Sequence, residues 1–284
     1  MQIRRLPIGD YVEGYELAEL NASPRNILEK ILWHKQVEVQ SLPGVSGLEL
    51  SVIDFGAALL ESAYQPAVIA ELKRASPSRG VIRADFDPEA IAQAYADGGA
   101  AALSVLTDRE FFGGGFENLQ RVRGQVDLPL LCKEFIICAG QVHYARSCGA
   151  DAVLLIKAIL SDRDLVSLAQ EIYRWNMTAL IEVHSRVELS QVLALRGQLE
   201  PERTLLGINN RNLESFTVDL GVTRDLLCGL SAGDRRQWRW ISESGIYTAA
   251  DVAQVKELGV TGVLVGESLL RQSDLQGAIA RLFC

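Results

Sequence analysis

The sequence is short of metal ligands. It contains only three histidines, His34, His143 and His184, and no two have ligand spacing. A zinc site is therefore not expected. The five cysteines (132, 138, 148, 228 and 284) are odd in number and form no Cys-x-x-Cys. Reduced thiols in a cytoplasmic protein are the simplest expectation. No apolar run approaches the ~18 residues of a membrane span. The opening MQIRRLPIGDYVEGYELAEL is acidic and lacks an apolar centre, which argues against a signal or transit peptide. Basic charge is also scarce: 28 Lys and Arg against 36 Asp and Glu give 28 − 36 = −8. A nucleic-acid partner is not expected from that balance. No GxGxxG follows any predicted strand, so the usual dinucleotide-binding turn is missing.

What is present is a repeat. With 48% hydrophobic residues among 284, the chain can bury a full core. From residue 68, short Val-, Ile-, Leu- and Ala-rich segments alternate with amphipathic ones. The predicted strands are 68–75, 101–107, 128–135, 152–158, 178–184, 204–210, 239–244 and 262–266. Helices are predicted to begin near Pro88, Phe116, Cys138, Asp162, Arg186, Gly221, Ala249 and Asp274. Several should close on glycine, at DGGA, SCGA and ELGV, where a left-handed cap is wanted. Eight strand–helix units point to an α/β fold, a (β/α)₈ TIM barrel. Residues 68–284 would form this catalytic barrel, and residues 1–67 an N-terminal helical extension packed on it. In that extension one helix is expected after Ser23-Pro24, over NILEKILWHKQVEVQSL, and a second over LELSVIDFGAALLESA.

The polar residues that interrupt the strands locate the site. In VIAELKRASPSRG, strand alternation puts Glu71 and Lys73 on one face, and Ser76-Pro77-Ser78 ends the strand. Taken by itself, that stretch reads more simply as an exposed ion pair. However, strand 3 carries Lys133, strand 5 Glu182, and strand 6 ends in Asn209, Asn210 and Arg211. Strand 7 ends in Glu243-Ser244-Gly245, and strand 8 in Gly266-Glu267-Ser268. Charges in apolar strands are costly unless paired or in use, and active sites of such barrels lie at the strand C-termini. Each residue has a plainer role open to it. Lys133 can snorkel outward, Glu182 can serve a structural ion pair, and the asparagines can be turn formers. Cys132 is expected to pack against the helices and His184 to sit at the rim; Lys157 has no assigned place. Glycines 245 and 266 would let the backbone approach a phosphate between the last two loops.

Together, ELKRASPSRGVI, SVLTDREFFGGGFENL, LLCKEFI, ALIEVHS, LGINNRNLESFTVD, SESGI and VLVGESL resemble the indole-3-glycerol phosphate synthase family of tryptophan biosynthesis. LEKILWHKQVEV in the N-terminal region matches too. The resemblance implies a phosphorylated small-molecule substrate, 1-(2-carboxyphenylamino)-1-deoxyribulose 5-phosphate, and no metal or organic cofactor. It implies Lys133 as the general acid at the substrate ketone and Glu182 as manager of the later proton transfers. Lys73 would face the substrate carboxylate, and Glu71 would hold a lysine. Asn209, Arg211, Glu243 and Ser244 would orient the substrate, with Phe112 lining the pocket for its aromatic ring and Ser76 flanking the mouth. The backbone at Gly245, Gly266 and Glu267 would hold the phosphate, and the N-terminal helices would lie across the mouth. Two lysines at a barrel mouth also suit a Schiff-base aldolase, which borohydride trapping distinguishes.

Overall fold

The computed structural model describes residues 3–8, 12–17, 24, 26–44, 51–212 and 215–284. Among these, eight parallel strands close into a barrel: β1 (Ala67–Leu72), β2 (Ala102–Leu106), β3 (Leu130–Lys133), β4 (Ala152–Ile156), β5 (Thr178–Val183), β6 (Thr204–Asn209), β7 (Arg239–Glu243) and β8 (Gly262–Val265). Each strand pairs with the next in sequence. The ring closes where Gly262, Val263, Leu264 and Val265 of β8 pair with Ala67, Val68, Ile69 and Ala70 of β1. All eight predicted strands are present, with ends trimmed by up to three residues. β1 ends at Leu72, earlier than expected, because Ala75–Ser76 pairs back on Gly80–Val81 in a small hairpin.

Most predicted helix starts also hold, for reasons visible at the caps. Asp87 accepts the Glu89 and Ala90 N–H groups ahead of Pro88, and Ser161, Ser185 and Thr248 cap their helices in the same way. Cys138 is the N-cap of the helix Ala139–Ser147. Gly99, Gly149 and Gly259 end three helices at φ of 87°, 96° and 78°, a conformation that L side chains resist. The helix expected at Asp274 is not formed. Residues there make turns that lead into a short 3₁₀ segment, Ala280–Leu282. The Asp274 carboxylate accepts the Gly277 N–H and pairs with Arg281, which stabilises the turn.

The extension departs from expectation in three ways. Ile3–Ile8 and Val12–Leu17 pair as an antiparallel hairpin that the sequence did not suggest. The first helix, α1 (Ile27–Glu38), forms as expected, capped by Asn26. The second, α2, is confined to Phe55–Leu60, because Asp54 caps its N-terminus and Ile53 N–H donates to Asp151 Oδ1 instead of to a helical carbonyl. Part of the region predicted for it, residues 48–50, lies outside the described residues. The two helices do not both lie at the mouth. Asp151 precedes β4, Arg239 beside Gly56 opens β7, and Leu59 packs near Gly262 at the start of β8. α2 therefore plugs the N-terminal end of the barrel, where Phe55 and Leu59 are fully buried. α1 alone reaches the opposite end.

Candidate active site

One cavity at the C-terminal ends of the strands receives the side chain or backbone of all thirteen candidate residues: Glu71, Lys73, Ser76, Phe112, Lys133, Glu182, Asn209, Arg211, Glu243, Ser244, Gly245, Gly266 and Glu267. At its floor Lys133 Nζ lies 2.9 Å from Glu182 Oε2 and 2.7 Å from Glu243 Oε2. Beside it Lys73 Nζ lies 2.5 Å from Glu71 Oε1. The alternation of strand residues is what turns Lys133 inward and Cys132, which is fully buried and 3.5 Å from Thr107 Oγ1, toward the helices.

The electrostatics follow from this packing. Burial lowers the Lys133 pKa, but Glu182, Glu243 and Glu71 outweigh it and hold the ammonium well above the ordinary lysine value. Burial works against ionised Glu182 as well, yet Lys133 and His184 hold its carboxyl well below the usual range. Glu243 goes the other way. Burial, reinforced by the charge of Glu182, pushes it up to about 8 despite Lys133. Its Oε1 is buried with no hydrogen-bond partner among the described residues and lies over Gly207 of β6, where a Cβ would collide with it. The floor thus presents one firmly protonated amine, one ionised carboxylate and one carboxyl whose protonated form burial favours.

The loops after β7 and β8 form the other side. Ser244 and Gly245 both have positive φ, 64° and 87°. For serine this is a strained conformation of roughly 1–3 kcal/mol, and Asn210 holds it. Its Nδ2 donates to Ser242 Oγ, Glu243 O and Ser244 O, and its Oδ1 accepts from Thr223. Asn210 is therefore a structural tie, whereas Asn209 faces the cavity. Ser268 Oγ donates to Ile246 O at 2.7 Å, which joins the two loops. The Glu267 carboxylate is turned to Arg79 and Arg271, and Glu267 opens the short helix Glu267–Leu270 at the edge of the cavity. Gly266 has a second reason to lack a side chain: a Cβ there would strike Glu71 Oε1.

The apolar wall was only partly legible. Phe112 and Phe135 stand with ring centroids 6.0 Å apart, and Ile27, Leu28 and Ile31 of α1 close the cavity from outside. Phe135 lies two residues past Lys133, so strand alternation was the available signal. α1 is fastened by Lys35, whose side chain is fully buried. Its Nζ lies 2.8 Å from Glu38, 3.0 Å from Asp108 and 2.9 Å from Glu134. Burial lowers the Lys35 pKa, but Glu134 and Asp108 more than reverse that. Asp108 also caps the turn bearing Phe112 by accepting Phe111 N–H, and Glu134 accepts Phe135 N–H. One lysine thus ties α1 to both aromatic loops.

His184 does not sit loosely at the rim. It is 11% exposed, with Nε2 3.2 Å from Glu182 Oε1 and Nδ1 3.4 Å from Glu188 Oε2. It lines a second, polar cavity that shares Leu28, Asn209 and Arg211 with the first. Lys157 is committed to Leu160 O and Asp162, both at 3.1 Å, and reads as a structural cap after β4. Among the described residues no group of three or more His, Cys, Asp and Glu could hold a metal ion.

A family model described as indole-3-glycerol phosphate synthase matches residues 22–282. Curated relatives of that name include one from Rippkaea orientalis, 52% identical over the whole of both chains. Another, from Microcystis aeruginosa, is 51% identical and covers 100% of this chain and 99% of its own. Among solved structures, thiamine phosphate pyrophosphorylase from Pyrococcus furiosus superimposes with a TM-score of 0.53 at 17% identity, over 77% of this chain and 94% of its own. At that identity the likeness shows the barrel fold alone.

Proposed function

The chain belongs to the indole-3-glycerol phosphate synthase family, and from that premise we propose how its residues divide the reaction. The enzyme is a carboxy-lyase of tryptophan biosynthesis that acts on a phosphorylated small molecule. 1-(2-Carboxyphenylamino)-1-deoxyribulose 5-phosphate closes an indole ring, loses CO₂ and water, and leaves as indole-3-glycerol phosphate. The assignment of roles rests chiefly on Lys133, a buried ammonium between Glu182 and Glu243 at 2.9 and 2.7 Å.

In ring closure the carboxylate-bearing ring carbon attacks the ketone, and Lys133 protonates the oxygen as charge develops on it. An amine held so firmly protonated gives up its proton only to a strongly basic oxygen, which confines the transfer to the transition state. CO₂ then leaves, and its bonding electrons neutralise the iminium. In dehydration the hydroxyl leaves as water with a proton from Lys73, and Glu182 takes the proton from the adjacent carbon. Glu182 returns that proton to Lys133 across 2.9 Å. Two protons are given and one recovered, so one is drawn from solvent per turnover. This matches a substrate carboxylate lost as neutral CO₂.

Lys73, held by Glu71, pairs with the substrate carboxylate, and Phe112 and Phe135 flank the aromatic ring. Asn209, Arg211, Glu243, Ser244 and Ser76 orient the chain, and the backbone at Gly245, Gly266 and Glu267 binds the phosphate. α1 shields the ring from water. On this account residues 1–67 act as an extension serving the catalytic domain 68–284. We place this biosynthetic enzyme in the cytoplasm; among the described residues no helix is long and apolar enough to cross a membrane. The test is purified protein mixed with substrate. Indole fluorescence should rise in step with released CO₂, and borohydride should trap nothing. A borohydride-stable adduct without indole formation would instead mark a Schiff-base enzyme.

A further inference from the structure

The reaction sets Glu182 a problem. It must act as a base after Lys133 has given its proton away, when the cation 2.9 Å from its Oε2 is neutral. A buried carboxylate that loses a counter-charge tends to take up a proton wherever one is offered. Glu182 is 3% exposed, so water does little to offset this.

The other oxygen has a partner that the catalytic roles leave unused. His184 Nε2 stands 3.2 Å from Glu182 Oε1, a charge contact that is off line for a hydrogen bond. The imidazole is held from behind. Glu188 Oε2 lies 3.4 Å from Nδ1 and also accepts the His184 backbone N–H at 2.8 Å. Glu188 is itself fixed by the start of its helix, where Ser185 Oγ accepts the Glu188 N–H at 3.2 Å. The sequence H-S-R-V-E thus builds the clamp within one turn. We propose that His184, clamped by Glu188, is a positioning residue that fixes Glu182 and keeps its carboxylate ionised while Lys133 is neutral.

The surroundings agree. Burial lowers the His184 pKa, but Glu182 and Glu188 raise it overall to about 10. The other charged groups on the second cavity are Lys157, Arg211 and Asp219. Lys157 is paired with Asp162, and Arg211 Nη1 donates to Phe216 O, so both have partners other than Glu182. His184 does not line the substrate cavity, so its removal should act on turnover rather than on binding.

The inference rests on Glu182 being the base, and the experiment separates the two claims. His184→Asn and Glu188→Gln are compared with Glu182→Gln by kcat and KM across pH. His184→Asn should lower kcat about tenfold or more at neutral pH with KM within about twofold, and move the acidic limb of kcat upward by about one pH unit, the equivalent of tenfold in proton affinity. Glu188→Gln should move the same limb in the same direction by less. It also keeps the test readable if His184→Asn does not fold. Imidazole, entering through the second cavity, should restore activity to His184→Gly. An unmoved acidic limb with kcat within about twofold, in a Glu182-dependent enzyme, would overturn the role of His184. A Glu182→Gln enzyme keeping more than about a tenth of kcat would instead refute Glu182 as the base.

Discussion

Replacing Lys133 by alanine removes the amine that touches both Glu182 and Glu243, and the structure sets how the loss divides. Catalytically, a positioned general acid is worth ~10²–10⁴-fold, and stabilisation of the developing oxyanion adds to it. A loss of that range is about 3–5 kcal/mol on the barrier, at ~1.4 kcal/mol per tenfold. Because the proton is used only in the transition state, kcat should fall while KM stays nearly constant. Structurally, removing one partner of a buried ion pair typically costs about 3–5 kcal/mol of stability. The loss here should be smaller. Glu243, already pushed up to about 8, can hold a proton in place of the missing charge.

Lys73→Ala should differ in kind. Its proposed partner, the substrate carboxylate, is present before reaction starts, so KM should rise together with the fall in kcat. Lys73 is also the more exposed of the two, with its side chain 15% accessible against 12% for Lys133. Steady-state kinetics of both variants, with circular dichroism to establish folding, provide the measurement. A folded Lys133→Ala enzyme retaining more than about a tenth of wild-type kcat would refute the assignment, and Lys73 would have to be the acid.

Three further outcomes follow from contacts at the mouth. Gly266→Ala puts a Cβ into Glu71 Oε1, so it should lower kcat as well as raise KM; a change in KM alone would show that the glycine serves only phosphate binding. Lys35→Met leaves Asp108 and Glu134 buried without their cation and should destabilise the fold by about 3–5 kcal/mol, read as a lower urea midpoint; an unchanged midpoint would show that α1 is held by its apolar face alone. His184 has its pKa raised from 6.5 to about 10, so the stability it contributes is fully present below pH 6.5 and is lost as pH climbs toward 10. The melting-temperature gap between wild type and His184→Asn should therefore be widest near pH 6 and narrow by pH 10, and a constant gap would contradict the ion pair.

Much of this was legible because a barrel strand is read by parity. Glu71, Lys133, Glu182 and Glu243 stand out as charges in apolar runs, and alternation sends them inward. Parity also explains Cys132, which packs against the helices. Less was legible where the fold depends on distant contacts. Nothing local shows that Asp151, ahead of β4, draws Ile53 out of a helix, or that α2 plugs the end of the barrel remote from α1. Lys35 shares the buried face of α1 with Leu28, Ile31 and Leu32. Its counter-charges, Asp108 and Glu134, come from two loops far along the chain. His184 was visible as a residue of the right parity, but its clamp required the fold of the following turn. Asn210 beside Asn209 shows the limit of motif reasoning: one lines the cavity, and the other holds the loop that carries Ser244.

The most direct test of the division of labour is a crystal structure with the substrate's ketone reduced to an alcohol, which can bind but not react. The hydroxyl should lie within hydrogen-bond distance of Lys133 Nζ, the carboxylate should lie against Lys73, and the phosphate should lie on the backbone of Gly245, Gly266 and Glu267. A hydroxyl bonded to Lys73, with Lys133 still enclosed by Glu182 and Glu243, would contradict the account.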